Sequence, residues 1–289
     1  MESIISALLG VGENPNETVN ISLIQVGGSS TDLIGAAITI TDDDTGDTLL
    51  TATWNGSTIT TEIDVNTNYT VSVENITGYT HPSSVSYQAG YQTERNITFN
   101  YALMGIYIEA TDHTLYTSST WASSGKTANS IVIITDAHSF RISLVHNIDI
   151  THLPSGDYSA FSTFETVEAA RLDFNGKENT QLLLAVNSSI TRPAGWCTNY
   201  TFPDGITKGY MGSYGQWEIV YNNKATVDAC ISACNAPALV DYWTSTPGPI
   251  KDNAKTFYFH WVKTNGYAIS VGDSGPSYSY CRVIADYEI

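Results

Sequence analysis

Cysteine is the residue type in this sequence best suited to metal or redox chemistry, and all four cysteines lie in its last third. Cys230 and Cys234 are four residues apart on a predicted helix, a spacing that suits a metal ion. However, no histidine lies near them in the sequence and no Cys-x-x-Cys pair occurs. Cys281 lies near the C-terminal end without a nearby partner. We therefore expect the cysteines to be free thiols packed in the hydrophobic core. A metal site at Cys230 and Cys234 is the alternative.

Carboxylates form the second cluster that could bind an ion: Asp42, Asp43, Asp44 and Asp47. Calcium prefers oxygen ligands, so this cluster is a candidate calcium site. Its spacing differs from that of a helical calcium-binding loop, and Asp-Asp-x-Thr-Gly is also an ordinary hairpin connection. We favour the hairpin and expect neither a metal nor a cofactor.

Signatures of catalysis are missing from the sequence. There is no Gly-x-Ser-x-Gly elbow, HExxH motif, phosphate-binding loop or dinucleotide fingerprint. The six histidines are scattered along the chain. We expect a protein that is not an enzyme.

The chain is strongly acidic and has few charged residues overall. Twelve basic against twenty-nine acidic residues give a net charge of -17. Such a surface repels phosphate backbones, so nucleic acid is a poor candidate partner. Only 14% of the residues are charged, a balance typical of extracellular or virion-type all-β proteins. No apolar run approaches the length of a membrane span, so we expect no membrane insertion.

Residues 1–18 are predicted to be an N-terminal leader. Its apolar run, from Ser3 to Gly10, follows an acidic residue and no basic one, unlike a secretory signal peptide. The run suits packing in an oligomeric segment, and the alternative is a frayed terminus.

Residues 19–102 have the pattern of successive short strands. Turn signals such as Gly27-Gly28 and Asn55-Gly56 separate them. The predicted strands are Val19–Val26, Ala36–Ile40, Thr48–Trp54, Ser57–Ile63, Tyr69–Val73 and Arg95–Tyr101. Six or seven strands in so short a region predict an immunoglobulin-like β-sandwich.

Residues 103–289 are predicted to form a second domain with strands and two helical regions. Helical spacing of apolar residues occurs from Thr163 to Val186, with a break at Asn175-Gly176, and again from Ala225 to Asn235. The whole chain is therefore predicted to be mainly β with two helices.

The terminal segment from Tyr242 to Ile289 has a composition unlike that of a core. From Ala254 apolar residues alternate, and Asn265-Gly266 predicts a hairpin turn. A run rich in Tyr, Ser and Gly follows, as in the binding loops of antibodies. The alternation assigns Phe257, Phe259 and Trp261 to the core. The candidate ligand-binding residues are Tyr258, His260, Tyr267, Asp273, Ser274, Ser277, Tyr278 and Tyr280.

Several motifs follow one another in an order that resembles a known family. They are Gly176-Lys-Glu-Asn-Thr180, Ala194-Gly-Trp-Cys197, Gly209-Tyr210 through Gln216-Trp217, Asn222-Asn-Lys224, Tyr242-Trp-Thr-Ser-Thr246 and Arg282-Val283. Together they resemble the C-type lectin-like variable proteins of diversity-generating retroelements. In that family, mutagenesis of adenines rewrites asparagine codons, and the reachable codons encode neither Lys, Glu, Gln, Trp nor Met. Residues 264–281 contain none of these five types.

This resemblance implies a C-type lectin-like α+β fold for residues 103–289, with a variable C-terminal face. It implies a receptor-binding protein of a phage tail fibre or tail tip, located in the virion. The expected partners are a bacterial cell-surface protein or glycan and other tail proteins, and tail fibres commonly form homotrimers. The alternative is a protein of the same fold with a fixed partner. It would be either an adhesin on the bacterial cell surface or a structural tail protein. The sugar-binding motifs Glu-Pro-Asn and Trp-Asn-Asp of animal lectins are absent.

Overall fold

The computed structural model describes residues 16–29, 31–150, 160–186, 188–205, 209–251, 256–262 and 279–288. The chain divides into two compact units, the first ending at Met104 and the second running from Gly105 to Glu288. Both are rich in β-structure, and none of the described helices is long and apolar enough to cross a membrane.

Unit 1 consists of two sheets. Its strands are β1 (Glu17–Val26), β2 (Ala37–Asp42), β3 (Thr48–Thr53), β4 (Ile59–Ile63), β5 (Asn68–Val73), β6 (Val85–Gln88) and β7 (Glu94–Ala102). One sheet has the order β4-β1-β7 and the other β3-β2-β5-β6. β1 is antiparallel to β4 and parallel to β7. All six predicted strands are therefore present, and β6 is the one that was missed.

Alternation along the strands builds the core of unit 1. Val19 and Ile21 of β1 and Ile38 and Ile40 of β2 are fully buried, and one apolar cluster takes residues from both sheets. Alternate residues lie on the same face of a strand, so each sheet offers one apolar face to this cluster.

The acidic turn between β2 and β3 is a hairpin connection, as favoured from the sequence. The Asp42 carboxylate accepts hydrogen bonds from the backbone N–H groups of Asp44 (2.8 Å) and Thr45 (3.0 Å). The Asn68 amide donates to the Asp44 carboxylate at 3.0 Å. These contacts hold the turn through the side chains of the cluster itself.

Glu17 is the first residue of β1, although the sequence placed it in the polar leader. Its carboxylate is fully buried and accepts hydrogen bonds from Tyr69 (2.6 Å), Arg95 (2.7 Å), Thr93 (2.6 Å) and the Gly90 backbone (2.8 Å). Burial alone would raise the pKa of Glu17, but these hydrogen bonds lower it to about 2. The buried charge therefore joins β1 to β5, to β7 and to the turn that precedes β7.

The pKa of Glu17 predicts an acid-sensitive unit 1. The pKa lies below its unfolded value of 4.5, so the stabilisation is complete above that pH and is lost as the pH falls towards 2. At pH 7 the free energy of unfolding of Glu17→Gln is expected to be about 2 to 3 kcal/mol lower than that of wild type. This difference should shrink on acidification. Hydrogen exchange of peptides covering β1 and β7 measures it.

Glu94→Gln is the matched control, because Glu94 is exposed on the adjoining strand β7. It should exchange like wild type at every pH. A difference between Glu17→Gln and wild type that persists unchanged at pH 2 would contradict the prediction.

Unit 2 is built on one large sheet. Its strands are β8 (Gly105–Ala110), β9 (Leu115–Tyr116), β10 (Ala128–Ile134), β11 (Ser139–Ile150), β12 (Tyr210–Met211), β13 (Tyr242–Lys251), β14 (Thr256–Val262) and β15 (Ser279–Asp286). The order is β14-β13-β15-β11-β10-β8-β9, and β12 pairs with β15. The terminal strand β15 thus lies inside the sheet, next to β11 and β13.

The described part of unit 2 contains six helices, so the prediction of two was wrong. They are α1 (Ser118–Trp121), α2 (Val167–Ala170), α3 (Gly176–Val186), α4 (Pro193–Asn199), α5 (Tyr214–Asn222) and α6 (Lys224–Ala233). The predicted helical region from Thr163 to Val186 contains two of them. Before the predicted break at Asn175-Gly176 only the single turn α2 is helical, and after it α3 begins at Gly176 and ends at Val186, as predicted. α1, α4 and α5 escaped prediction because they are short, and short helices have too few turns to develop a clear apolar period.

Helices and sheet enclose two apolar clusters in unit 2. The first contains Trp217 and Val220 of α5, Val227 and Cys230 of α6, and Ile284 of β15. The second lies around α3, α4 and β15. β15 contributes alternate residues to each cluster, because its neighbouring side chains point to opposite faces of the sheet.

Gly209 allows the chain that leads into β12 to approach β15 closely. A Cβ atom at this position would lie 1.9 Å from Cγ1 of Val283 and 2.7 Å from the Ile284 backbone oxygen. Only glycine fits such a contact without a shift of β12.

Candidate ligand-binding face

The start of β13 is anchored in the core of unit 2. Tyr242 is fully buried and stacks on Trp217, with ring centroids 4.6 Å apart and an interplanar angle of 19°. Its hydroxyl lies 3.1 Å from Nδ1 of His146 on β11. The anchor therefore combines aromatic packing with a polar contact.

The polar residues that follow Tyr242 are also buried. Thr246 accepts a hydrogen bond from the Tyr214 backbone N–H (2.7 Å) and donates to the Asp173 carboxylate (2.6 Å). The Ser245 backbone N–H donates to the Gly212 carbonyl at 2.8 Å. The Thr246 side chain and the Ser245 backbone thus hold this part of β13 against the start of α5 and the loop before it.

β15 is anchored as firmly as β13. Cys281, Val283 and Ala285 pack in one apolar cluster, and Ile284 packs in the other. Arg282 is also buried, and its Nη2 donates to the Pro237 carbonyl at 2.6 Å. The first and last strands of the terminal segment, β13 and β15, are therefore both held by buried side chains.

Most of the predicted ligand-binding residues fall on parts of the chain without described side chains. Tyr258 and His260 lie in β14, where the backbone alone is described. Outside the described residues are Tyr267, Asp273, Ser274, Ser277 and Tyr278. The assignment of these side chains to a ligand-binding face stays a prediction. The same holds for Phe257, Phe259 and Trp261 as core residues.

Tyr280 is the one candidate whose side chain is described. It is half-buried, and its ring centroid lies 4.7 Å from that of His146. Burial and then the charge of Arg282 lower the pKa of His146 to about 4, so this imidazole is neutral at physiological pH. Tyr280 thus packs partly against the core beside His146, and its assignment to the ligand-binding face stays a prediction.

A buried charge network, unexpected from the sequence, lies elsewhere in unit 2. The Glu109 carboxylate is fully buried and accepts hydrogen bonds from Ser130 (2.6 Å), Asn129 (2.8 Å) and Arg141 (2.9 Å). Arg141 also donates to the Asp204 carboxylate at 3.0 Å. Glu109 lies on β8, Asn129 and Ser130 lie on β10, and Arg141 lies on β11. Asp204 follows α4 in the chain.

The geometry of this network also resembles a metal site. Donor atoms of Glu109, His113 and Asp204 lie within 4.8 Å of one another. The guanidinium of Arg141, however, already lies between the two carboxylates. Burial would raise the pKa of Glu109, but hydrogen bonds from His113 and Ser130 and the charge of Arg141 hold it below its usual value. We therefore assign the network a structural function, in which Arg141 supplies the positive charge.

No protein-family model matches this chain, and no curated protein matches it either. Among solved structures, a mutant of the shaft pilin SpaA from Lactobacillus rhamnosus GG is 11% identical, with a TM-score of 0.26 over 35% of this chain and 58% of that structure. The Bacillus anthracis TIE protein is 10% identical, with a TM-score of 0.27 over 45% and 28%.

The full-length RrgB pilus protein of Streptococcus pneumoniae is 13% identical, with a TM-score of 0.23 over 95% of this chain and 37% of that structure. The chain thus covers less than two thirds of each of these structures. TM-scores this low do not identify a shared fold.

Proposed function

We propose that this chain is a non-enzymatic ligand-binding protein of a cell or virion surface, and that unit 2 presents the ligand-binding face between β13 and β15. The observation that carries the proposal is the double anchor. Tyr242 fixes one flank and the buried residues of β15 fix the other. A segment with rigid ends can change its side chains while the scaffold stays intact.

Composition supports a binding face rather than a catalytic site. The segment 264–281 is rich in Tyr, Ser and Gly. Tyrosine offers a wide contact area at low cost in conformational entropy, and serine and glycine adapt around it. In this proposal unit 2 has the C-type lectin-like arrangement, and unit 1 is an immunoglobulin-like spacer domain.

Binding of purified, fluorescently labelled full-length chain to bacterial cells tests the proposal. We expect saturable binding, and we expect Tyr267→Ala or Tyr278→Ala to weaken it by about 1 to 4 kcal/mol if these tyrosines are central contacts. Urea melts of the same variants should match wild type, because the anchors lie elsewhere.

Tyr91→Ala is the matched control, since Tyr91 is 60% exposed and belongs to unit 1. It removes a surface tyrosine that is not among the residues of the proposed face. Equal losses of binding for Tyr91→Ala and the unit 2 variants would contradict the proposed location. Absence of saturable binding to every bacterial strain tried would contradict the surface-receptor interpretation.

A second, narrower candidate is a phage receptor-binding protein whose face is rewritten by a diversity-generating retroelement. The absence of Lys, Glu, Gln, Trp and Met from residues 264–281 favours it. Sequences from several isolates of one population should then differ mainly between residues 252 and 280, at asparagine-type codons. Residues 242–246 and 281–285 should stay constant. Differences spread evenly along the chain would contradict this candidate and favour an adhesin with a fixed partner.

A further inference from the structure

Cys197 and Cys281 meet in the interior of unit 2. Cys197 lies on α4 and Cys281 on β15, and neither side chain is exposed to solvent. Their Sγ atoms are 3.0 Å apart, although the two residues are separated by 84 positions in the sequence. The sequence placed Cys281 without a partner, and the fold supplies one.

We propose that Cys197 and Cys281 are a disulfide site that clamps β15 to α4. The backbones are already in place, because α4 packs against both β12 and β15. The Cys281 Sγ also lies 3.9 Å from the Pro193 carbonyl, at the first turn of α4. Forming the bond therefore requires a small approach of the two sulfur atoms and no rearrangement of the chain.

The other two cysteines provide an internal contrast. Cys230 and Cys234 lie on and just after α6, with Cys230 buried in the other apolar cluster. Neither belongs to the cluster that contains Cys197 and Cys281. The geometry thus selects one pairing among those that four cysteines allow.

Burial determines when the bond forms. It raises the pKa of Cys197, and the neighbouring thiol of Cys281 raises it further, so the reactive thiolate is disfavoured in the folded chain. Because both thiols are also fully buried, we expect oxidation during folding, before the core closes. One cysteine attacks a small-molecule disulfide such as oxidised glutathione and releases one thiol. The second cysteine attacks the mixed disulfide and releases the other thiol, so two electrons and two protons pass to the oxidant.

The clamp would act at one end of the ligand-binding face. Cys281 follows directly after the half-buried Tyr280. The bond would therefore tie β15, at one end of the proposed face, to α4. Long closed loops gain more from a crosslink than short ones, because the unfolded chain loses more freedom. A disulfide also suits a protein that works outside the reducing cytosol.

Peptide mapping of the full-length chain tests the pairing. Trypsin does not cut before Pro193, so it leaves Cys197 in residues 178–208, Cys281 in residues 264–282, and Cys230 with Cys234 in residues 225–251. After refolding in oxidised and reduced glutathione, we expect the first two peptides to be linked. Alkylation in denaturant should then label Cys230 and Cys234 only.

Urea melts test the clamp itself. Oxidised wild type should unfold at a higher midpoint than the reduced protein. This difference should vanish in the double variant Cys197→Ser, Cys281→Ser and persist in the control Cys230→Ser, Cys234→Ser. Four alkylated thiols after oxidative refolding, or a link that involves Cys230 or Cys234, would overturn the pairing. An unchanged midpoint in the linked protein would overturn the clamp.

Discussion

Replacing Arg141 with methionine is expected to lower the free energy of unfolding of unit 2 by about 3 to 5 kcal/mol. The guanidinium is the positive charge between the buried carboxylates of Glu109 and Asp204, whose side chains are 0% and 1% exposed. Methionine keeps much of the volume but leaves two buried carboxylates close together without the guanidinium between them. Urea denaturation followed by hydrogen exchange of β8, β10 and β11 measures the loss.

Two further variants separate charge from packing. Adding Glu109→Gln and Asp204→Asn to Arg141→Met removes the stranded charges and should restore part of the stability. The single variant should also become relatively more stable on acidification, because its carboxylates then protonate. Lys126→Met removes an exposed ion pair with Asp112, and its urea midpoint should stay close to that of wild type because water screens such a pair. A triple variant no better than Arg141→Met would show that packing, rather than charge, dominates.

Trp217→Ala is expected to cost about 3 to 5 kcal/mol, the range for a large buried aromatic side chain. Trp217 is fully buried in the first apolar cluster of unit 2. The same change removes the ring on which Tyr242 stacks, so binding by the ligand-binding face should fall together with stability. Urea melts and the cell-binding assay on one set of variants measure both effects.

Trp196→Ala is the control for Trp217→Ala. Trp196 is only half-buried and packs at the margin of the second cluster, so its removal should cost clearly less. Trp217→Phe should retain most of the stacking and most of the stability. Equal losses for the Trp196 and Trp217 variants would contradict the larger contribution to stability expected of the fully buried Trp217.

Local patterns were sufficient to predict six of the seven strands of unit 1. Alternation of apolar and polar residues in β1, β2 and β5 depends only on neighbours in the chain, and so do the turn signals between them. β6 was missed because its four residues, Val85–Gln88, are too few to display an alternation. Glu17 was placed in a leader because its burial depends on Arg95 and Thr93, far away in the sequence.

One helix of unit 2 carried a local signal that went unused. Ser213 precedes α5, and Gln216 follows three residues later, which is the pattern of a capping box. The Ser213 backbone N–H does donate to the Gln216 side chain at 3.0 Å. By contrast, the Glu109 network and the Cys197–Cys281 contact have no local signal, because each is assembled by the fold from distant segments.

Two pairings described above also govern the order in which the chain can fold during synthesis. In unit 1, the parallel pairing of β1 with β7 joins Asn20 to Asn96, 76 residues apart. In unit 2, β11 and β15 meet through Ser143 and Val283, 140 residues apart. Contacts of such long range close large loops and form late.

At ribosomal speeds, β11 therefore waits on the order of ten seconds for its partner strand β15. During that interval the apolar residues of β10 and β11 have no complete sheet to cover them. In the described part of unit 1, the last strand of its two sheets ends at Ala102. Unit 1 can thus fold first. The nascent chain then carries a folded unit 1 while unit 2 still waits for β15.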